Sequence, residues 1–160
     1  MKTLLLARHA KSDWGVLGAA DHDRTLNSRG RRDAPAMARR LVDDDLLVDR
    51  IVSSSAVRAR GTADEYAAAF GLGVIEEPLL YAATARSILA IAAALPDESE
   101  VAMLVGHNPG MSDAVAELTG AFEDLPTCAV AECAVDVGSW AELVEGTGRL
   151  LRVRTPRNDE

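Results

Sequence analysis

Two of the three histidines in the chain, His9 and His107, come directly after short apolar runs. An imidazole at neutral pH is a nucleophile or a general base, so either ring could take part in catalysis. The runs LLLAR and VAMLVG have the length and composition of buried strands. Because ligands bind at the carboxyl ends of the strands in such sheets, we expect both imidazoles to lie at one edge. One histidine at a strand end is more often structural, whereas the pair favours a shared site.

Three arginines could complete such a site. Arg8 precedes His9, Arg24 lies in DHDRTLNSRG, and Arg58 lies in the first turn of the helix predicted after IVSSS. The planar guanidinium fork matches two phosphoryl oxygens, and the amides at a helix N-terminus also favour an anion. Most arginines are surface charges, but Arg58 follows a strand that ends at the same predicted edge. The pattern therefore indicates a phosphoryl group held next to a histidine nucleophile.

The motifs RHA, SSSAVRARGTA and GHNPG, which follow the first, second and fourth predicted strands, together resemble the histidine phosphatase superfamily. RHAKSDW, DHDRTLNSRG and the short chain are similar to its SixA-like phosphohistidine phosphatase branch. The resemblance covers nearly the whole chain. It implies a phosphoglycerate mutase-like fold and a covalent phosphohistidine intermediate on His9. It also implies catalytic roles for Arg8, Arg58 and His107 around the phosphoryl oxygens, with no metal and no cofactor.

We predict three further residues that bind the substrate: Ser12, Arg24 and Asn108. The Ser12 hydroxyl can donate to phosphate, whereas whether Arg24 reaches phosphate is left open. The substrate is predicted to be phosphohistidine in a protein, such as a carrier or a phosphotransfer domain. A small phosphorylated metabolite hydrolysed through the same intermediate is the first alternative. A noncatalytic module that binds a phosphorylated ligand is the second.

The general acid of the larger family members has no counterpart in this chain. They carry a glutamate in an insertion after the third strand, whereas here no acid lies between Glu77 and Asp97 and the insertion is missing. A phosphate ester leaves as an alkoxide that needs a proton, but the imidazole of a phosphohistidine can leave neutral. We therefore predict a preference for P–N bonds. Asp21, Asp23 and Glu77 are the alternative acids.

The elements that must position these residues are short and alternate along the chain. Strands are predicted at 3–7, 49–53, 73–76, 100–105, 128–135 and 148–153. Helices are predicted over 27–42, with a kink or a late start at Pro35, from an N-cap at Ser55 to Gly71, from Thr84 to before Pro96, and from Pro109 in the first turn toward Gly120. This order predicts one α/β/α domain over 1–160, without a large lid. Its central sheet is mostly parallel with an antiparallel edge.

Composition narrows the possible partners. The formal charge of −8 argues against general nucleic-acid binding, and no apolar run approaches the ~18 residues of a membrane span. No leader of the secretory type opens the sequence, so we expect a cytoplasmic protein without membrane contact. Cys128 and Cys133 are spaced to lie on opposite faces of one strand, so we expect no disulfide. Nucleotide-binding motifs are absent, and the cluster DHD at 21–23 is more typical of a polar loop than of a metal site.

Overall fold

A computed structural model describes residues 1–14 and 18–157. Six strands form one sheet: β1 (Lys2–Arg8), β2 (Arg50–Ser53), β3 (Val74–Glu76), β4 (Val101–Gly106), β5 (Val130–Val135) and β6 (Gly148–Arg154). Their order is β3-β2-β4-β1-β5-β6. The β1–β4, β2–β4 and β2–β3 pairs are parallel, whereas β5 is antiparallel to both β1 and β6. The mostly parallel sheet with antiparallel pairing at one edge is confirmed.

Helices cover both faces of the sheet: α1 (Ser28–Asp43), α2 (Val57–Phe70), α3 (Ala85–Ala93) and α4 (Gly110–Thr119). Successive residues of β1 point to opposite faces. Leu4 and Leu6 pack in the cluster that includes α3 and α4. Leu5 and Ala7 pack in the cluster that includes α1 and α2. Burying one such leucine contributes about 2 kcal/mol to stability. The two clusters, one on each face of the sheet, confirm the three-layer α/β/α architecture.

The first helix runs without a break through Pro35. Asn27 caps it, because its side-chain oxygen accepts from the Gly30 amide at 2.9 Å. Met37 and Leu41 are buried on its inner face. The predicted late start at Pro35 is therefore wrong, because the Asn27 cap and this packing outweigh the one backbone hydrogen bond that an internal proline removes.

Two helix starts lie one residue later than predicted. The N-cap of α2 is Ala56 and not Ser55, and the Ala56 amide donates to the Ser54 hydroxyl at 3.2 Å. Pro109 is likewise the N-cap of α4 and not a first-turn residue. Thr84, the predicted first residue of the next helix, is the N-cap of α3, since its hydroxyl accepts from the Ser87 amide.

The predicted strand over 128–135 begins at residue 130. Cys128 has φ 66°, which is left-handed backbone and incompatible with a strand. Its amide instead donates to the carbonyl of His9 at 2.9 Å, so the turn before β5 holds the end of β1. Cys128 and Cys133 are free and pack in clusters on opposite faces of the sheet.

At two glycines near the candidate site, the lack of a side chain lets a neighbouring backbone segment pack closely against a helix. A Cβ at Gly30 would lie 2.1 Å from the carbonyl oxygen of Lys11, and one at Gly110 would lie 2.2 Å from that of Ala83. The segment after β1 and the segment before α3 are therefore packed directly against α1 and α4. Within residues 1–14 and 18–157, no helix is long and apolar enough to cross a membrane.

Candidate active site

The two predicted histidines meet at the carboxyl ends of neighbouring strands. His9 follows β1 and His107 follows β4, and the His9 amide donates to the carbonyl of Gly106 at 3.0 Å. The ring centroids are 5.1 Å apart. The exposed fractions are only 7% for His9 and 8% for His107. The common edge predicted from the two apolar runs is therefore present.

The His9 ring is held in one tautomer. Its Nδ1 lies 2.7 Å from the carbonyl oxygen of Ala10, and because a carbonyl only accepts, Nδ1 carries the ring proton. The lone pair on Nε2 accepts a long hydrogen bond from Arg58 Nε at 3.4 Å, and Nε2 is the ring nitrogen that can attack. Burial lowers the pKa of His9 to about 3, and the neighbouring cations act in the same direction. The ring is neutral and nucleophilic at pH 7.

One threonine, Thr62, connects the segment after His9 to Arg58 of α2 by hydrogen bonds. The Thr62 hydroxyl accepts from the Ala10 amide at 2.9 Å and donates to the carbonyl of Arg58 at 2.8 Å. Thr62 is fully buried. The backbone that orients His9 and the helical turn that carries Arg58 therefore share one hydrogen-bonded link.

His107 is positioned by Ser54, the residue that follows β2. Its Nε2 lies 2.8 Å from the Ser54 hydroxyl, which also accepts from the Ala56 amide. This arrangement favours donation from Ser54 to Nε2 and a ring proton on Nδ1, which is buried without a hydrogen-bond partner. Burial lowers the pKa of His107 to about 4, with a further contribution from Arg58. A neutral His107 can thus donate a hydrogen bond from Nδ1.

Asp21 links two of the predicted arginines. The carboxylate accepts from Arg58 Nη2 at 3.1 Å and from Arg24 Nη1 at 2.7 Å, and its backbone carbonyl accepts from Arg58 Nη1 at 2.7 Å. The Tyr81 hydroxyl also donates to it at 2.5 Å. Tyr81 and then the two arginines lower the pKa of Asp21 to about 2. Asp21 is ionised at neutral pH and is therefore poorly suited to the role of alternative general acid.

Arg24 and Ser12 lie side by side near this carboxylate. Arg24 Nη2 donates to the Ser12 hydroxyl, and Arg24 Nε donates to the carbonyl of Asp13 at 3.2 Å. The guanidinium also stacks on Trp14, with Cζ 3.6 Å from the ring centroid. Both predicted substrate-binding residues therefore belong to the hydrogen-bonded group around Asp21.

Arg8 and Asn108 converge on one backbone carbonyl. Arg8 Nη1 and Asn108 Nδ2 each donate to the carbonyl of Leu125 at 2.9 Å. Asn108 Oδ1 accepts from the Ser112 amide and hydroxyl, so this side chain holds the start of α4. Arg8 Nε is buried without a partner. Arg8 thus keeps a donor for a ligand, whereas the substrate-binding role of Asn108 stays a prediction.

The supporting residues Ser54, Thr62 and Tyr81 were not predicted from the sequence. Ser54 follows β2 at the same edge as the histidines, which is the one signal that identifies it in advance. The third histidine, His22, lies 2.9 Å from the Ser55 hydroxyl through Nε2. Its ring centroid is 5.0 Å from that of Tyr81, which lies 5.5 Å from that of His107. Only the fold brings these side chains together.

An open cleft of about 1200 Å³ extends from His107 along α4. The segment between β3 and α3, where larger relatives carry an insertion, is residues 77–84 only. Within the part of the chain that the structure describes, no group of three or more His, Cys, Asp or Glu residues is placed to hold a metal ion. The arrangement combines an uncharged nitrogen nucleophile with guanidinium and imidazole donors, as attack on a phosphoryl group requires.

Comparison with known proteins agrees with this geometry. The model of the histidine phosphatase superfamily (branch 1) matches residues 4–82. A protein from Nakamurella multipartitia, provisionally assigned as the phosphohistidine phosphatase SixA, is 30% identical with a TM-score of 0.84, covering 98% of this chain and 96% of its own. A protein from Agrobacterium tumefaciens with the same provisional assignment is 29% identical with a TM-score of 0.82, covering 97% and 98%.

A plant relative extends the comparison beyond bacteria. An uncharacterized chloroplastic protein of Arabidopsis thaliana is 33% identical over 154 residues, which cover 88% of this chain and 70% of that protein. The family model, these relatives and the arrangement of the two strand-end histidines all agree. The chain belongs to the histidine phosphatase superfamily and has its phosphoglycerate mutase-like fold.

Proposed function

We propose that this protein is a metal-independent phosphatase that forms a covalent phosphohistidine intermediate on His9 and removes phosphate from phosphohistidine in a protein. The observation that carries the proposal is the fixed His9 tautomer, with Nδ1 donating to the Ala10 carbonyl and Nε2 3.4 Å from Arg58 Nε. A nucleophile that is already neutral and oriented needs no separate base.

In the first step, Nε2 of His9 attacks phosphorus and the P–N bond of the substrate breaks. The substrate ring carries its proton on the remote nitrogen, so it departs as a neutral imidazole. His9 keeps its own proton on Nδ1 and acquires the phosphoryl group on Nε2. The positive charge of the new phosphohistidine ring is stabilised through Nδ1 by the Ala10 carbonyl, and no net proton is taken from the enzyme.

The transferring phosphoryl group needs its three equatorial oxygens stabilised. Arg58, with its guanidinium next to His9 Nε2, and Arg8, with an unpartnered Nε, are the proposed guanidinium donors. His107 adds a neutral donor at Nδ1, while Arg24 and Ser12 extend the set on the side of Asp21. Donors fixed before the reaction lower the barrier without further reorganisation, and removing one typically costs 10²–10³ in kcat.

In the second step, water attacks phosphorus and the bond to His9 Nε2 breaks. Phosphate leaves with the oxygen of the water, one water proton goes to the solvent, and His9 returns to its neutral form with the proton on Nδ1. Each step displaces an imidazole from phosphorus, first by the His9 ring and then by a water oxygen, without any metal.

The choice of a P–N substrate rests on the missing acidic residues after β3 and on the ionised state of Asp21. Residues 78–96, which follow β3, contain no Asp or Glu. Asp21 is ionised near neutral pH because Tyr81 and the two arginines lower its pKa to about 2. Glu77 caps the turn after it by accepting from the Leu79 amide. An alkoxide leaving group would lack protonation, whereas imidazole leaves neutral.

Phosphate release from a histidine-phosphorylated carrier protein, measured with a chelator present, tests this proposal. A panel of phosphate monoesters and the His9→Ala variant are run in parallel. We expect the carrier to be dephosphorylated much faster than the monoesters and the variant to be inactive. Faster turnover of monoesters would support the small-metabolite alternative, and no turnover of either would support a noncatalytic module. Equal activity of His9→Ala and the native protein would refute the nucleophile. The cytoplasmic location stays a prediction.

A further inference from the structure

The cleft next to His107 is not used by the chemistry described above. It begins at His107 and follows α4 past Ser112 and Ala116, with the segment before α3 on the other side. Its volume of about 1200 Å³ exceeds the ~300–1,000 Å³ typical of small-ligand pockets. Phe122 lies on its rim with 91% of its surface exposed. An exposed aromatic beside an open groove is typical of a protein contact.

The charge of the cleft is opposite to that of the phosphoryl site. Four carboxylates line it, and the one Arg or Lys among the described lining residues is Arg86; the carboxylates are those of Asp113, Glu117, Glu123 and Asp124. The Asp124 charge is close enough to Arg8 to oppose the lowering of the Arg8 pKa by burial. Clustered negative charge repels a small polyanionic phosphometabolite but attracts lysine and arginine side chains.

His107, one of the residues that line the cleft, carries a donor without a partner. His107 is 8% exposed, lines the cleft, and has its Nδ1 buried without a hydrogen-bond partner. A phosphoryl oxygen would supply that partner. A ligand that reaches His107 with its phosphoryl group therefore places the groups attached to it along an acidic groove with an aromatic rim.

We propose that this cleft is a docking groove for a protein substrate whose phosphohistidine is flanked by lysine or arginine residues. The proposal rests on the proposed function and adds the sequence context of the substrate. The basic flank pairs with Glu117 and Glu123, and an apolar side chain of the same segment covers Phe122. Charge complementarity and the length of the groove favour a protein segment over a metabolite.

Three synthetic peptides with a central phosphohistidine test the groove. They are identical except that the residues on both sides of the phosphohistidine are lysine, glutamine or glutamate. N-phosphoimidazole, which is too small to occupy the groove, gives the basal rate of P–N hydrolysis. We expect kcat/KM to decrease from the lysine to the glutamine to the glutamate peptide, by roughly tenfold in total, as expected for two or three exposed ion pairs.

Charge reversal in the groove provides the matched comparison. Glu117→Lys/Glu123→Lys should invert the order of the peptides and leave N-phosphoimidazole turnover unchanged. Glu98→Lys/Asp136→Lys makes the same change of charge at two exposed carboxylates. They lie at the end of the strands opposite to His9 and His107, so this variant should keep the native order of the peptides. Phe122→Ser should lower kcat/KM for the peptides alone.

The outcomes separate the groove from the reaction. Equal kcat/KM for the three peptides, with N-phosphoimidazole hydrolysed, would overturn the docking groove and leave the proposed function standing. An equal effect of the two double-lysine variants would also overturn the docking groove, because the order of the peptides would then depend only on the overall charge of the protein. If neither the peptides nor N-phosphoimidazole were hydrolysed, the proposed function itself would fall.

Discussion

Two buried arginines of this protein, Arg154 and Arg58, differ in how their charge is balanced. Arg154, 3% exposed, donates to Asp44 at 2.7 Å and to Glu132 at 2.8 Å. Arg152 lies 4.0 Å from the same Asp44, so Arg154 has two carboxylate partners and Asp44 has a second guanidinium beside it. Arg58, 6% exposed, shares the carboxylate of Asp21 with Arg24, while its Nε donates to His9 Nε2.

The difference identifies which cluster is built for a ligand. A buried charge is costly unless it is paired, so Arg154, which is paired with two carboxylates, has a structural role. The cluster at the strand ends carries surplus positive charge, as a site for a phosphoryl dianion requires. Its cost to stability is recovered only when an anion binds. Burial alone therefore does not distinguish a catalytic arginine, whereas the charge balance around it does.

The largest expected effect is on catalysis at Arg58. Arg58→Lys keeps the charge but loses the fork that contacts both His9 and Asp21, so we expect kcat to fall about 10³-fold. The melting temperature should change little. Single-turnover phosphate release and a thermal melt measure the two quantities. A variant with near-native kcat would show that Arg58 is structural, like Arg154.

The reverse result is expected at Arg154. Arg154→Met leaves Asp44 and Glu132 without their shared partner, which should lower the free energy of unfolding by about 3 kcal/mol. The kcat/KM of the folded protein should stay native. Urea denaturation monitored by circular dichroism gives the stability. Loss of activity without loss of stability would contradict a structural role for the Arg154 cluster as opposed to the Arg58 cluster.

The pH dependence of stability is a third test of the positive cluster. The pKa is lowered to about 3 for His9 and to about 4 for His107, so the unfolded chain binds protons below pH 6.5 while the folded chain does not. Stability should therefore decrease as pH falls from about 6.5 to 4, by about 1 kcal/mol per pH unit for each ring. Urea denaturation between pH 7 and 5 measures it. The decrease should be absent from His9→Gln/His107→Gln, and a native slope in that variant would disprove the assignment.

The smallest effect is expected at Asp21. Asp21→Asn removes the negative charge nearest the arginines and keeps only one of the two oxygens that accept from Arg58 and Arg24. Inorganic phosphate should inhibit the variant roughly threefold to tenfold more strongly, because a repulsive charge is lost. The kcat should fall, because the guanidiniums are held less firmly. Inhibition constants and kcat measured together separate the two effects, and weaker inhibition by phosphate would mean that Asp21 acts through geometry alone.

Much of the fold could be predicted from the sequence because buried strands and helix caps are local signals. The alternation of apolar runs and helices predicted six strands at nearly their observed positions, and the predicted helix start at Thr84 lies at the observed N-cap. The misplaced boundaries have tertiary causes. Pro35 is tolerated because packing on the sheet compensates for it, and residue 128 turns away from β5 because its amide holds the end of β1.

The candidate site was predictable to the extent that its residues follow strands. His9, His107 and Arg58 each carry this signal, and the structure brings them together. Asp21 and Tyr81 do not, because they come from a loop and from a turn 60 residues apart that meet only in the folded chain. The sequence could therefore indicate the chemistry but not the single carboxylate that organises its cations.

The close contact at Gly30 also bears on how the site could be lost. Gly30 lies in α1, which is not among the elements that would contact a phosphoryl group, so ligand contacts alone would not identify this position. Yet a single added methyl group there would meet the Lys11 carbonyl at 2.1 Å, two residues after the nucleophile. Because the obstacle is backbone, the loop would have to move, and with it the Ala10 carbonyl that fixes the His9 proton. A glycine outside the candidate site thus helps to hold in place the segment whose Ala10 carbonyl contacts His9 Nδ1.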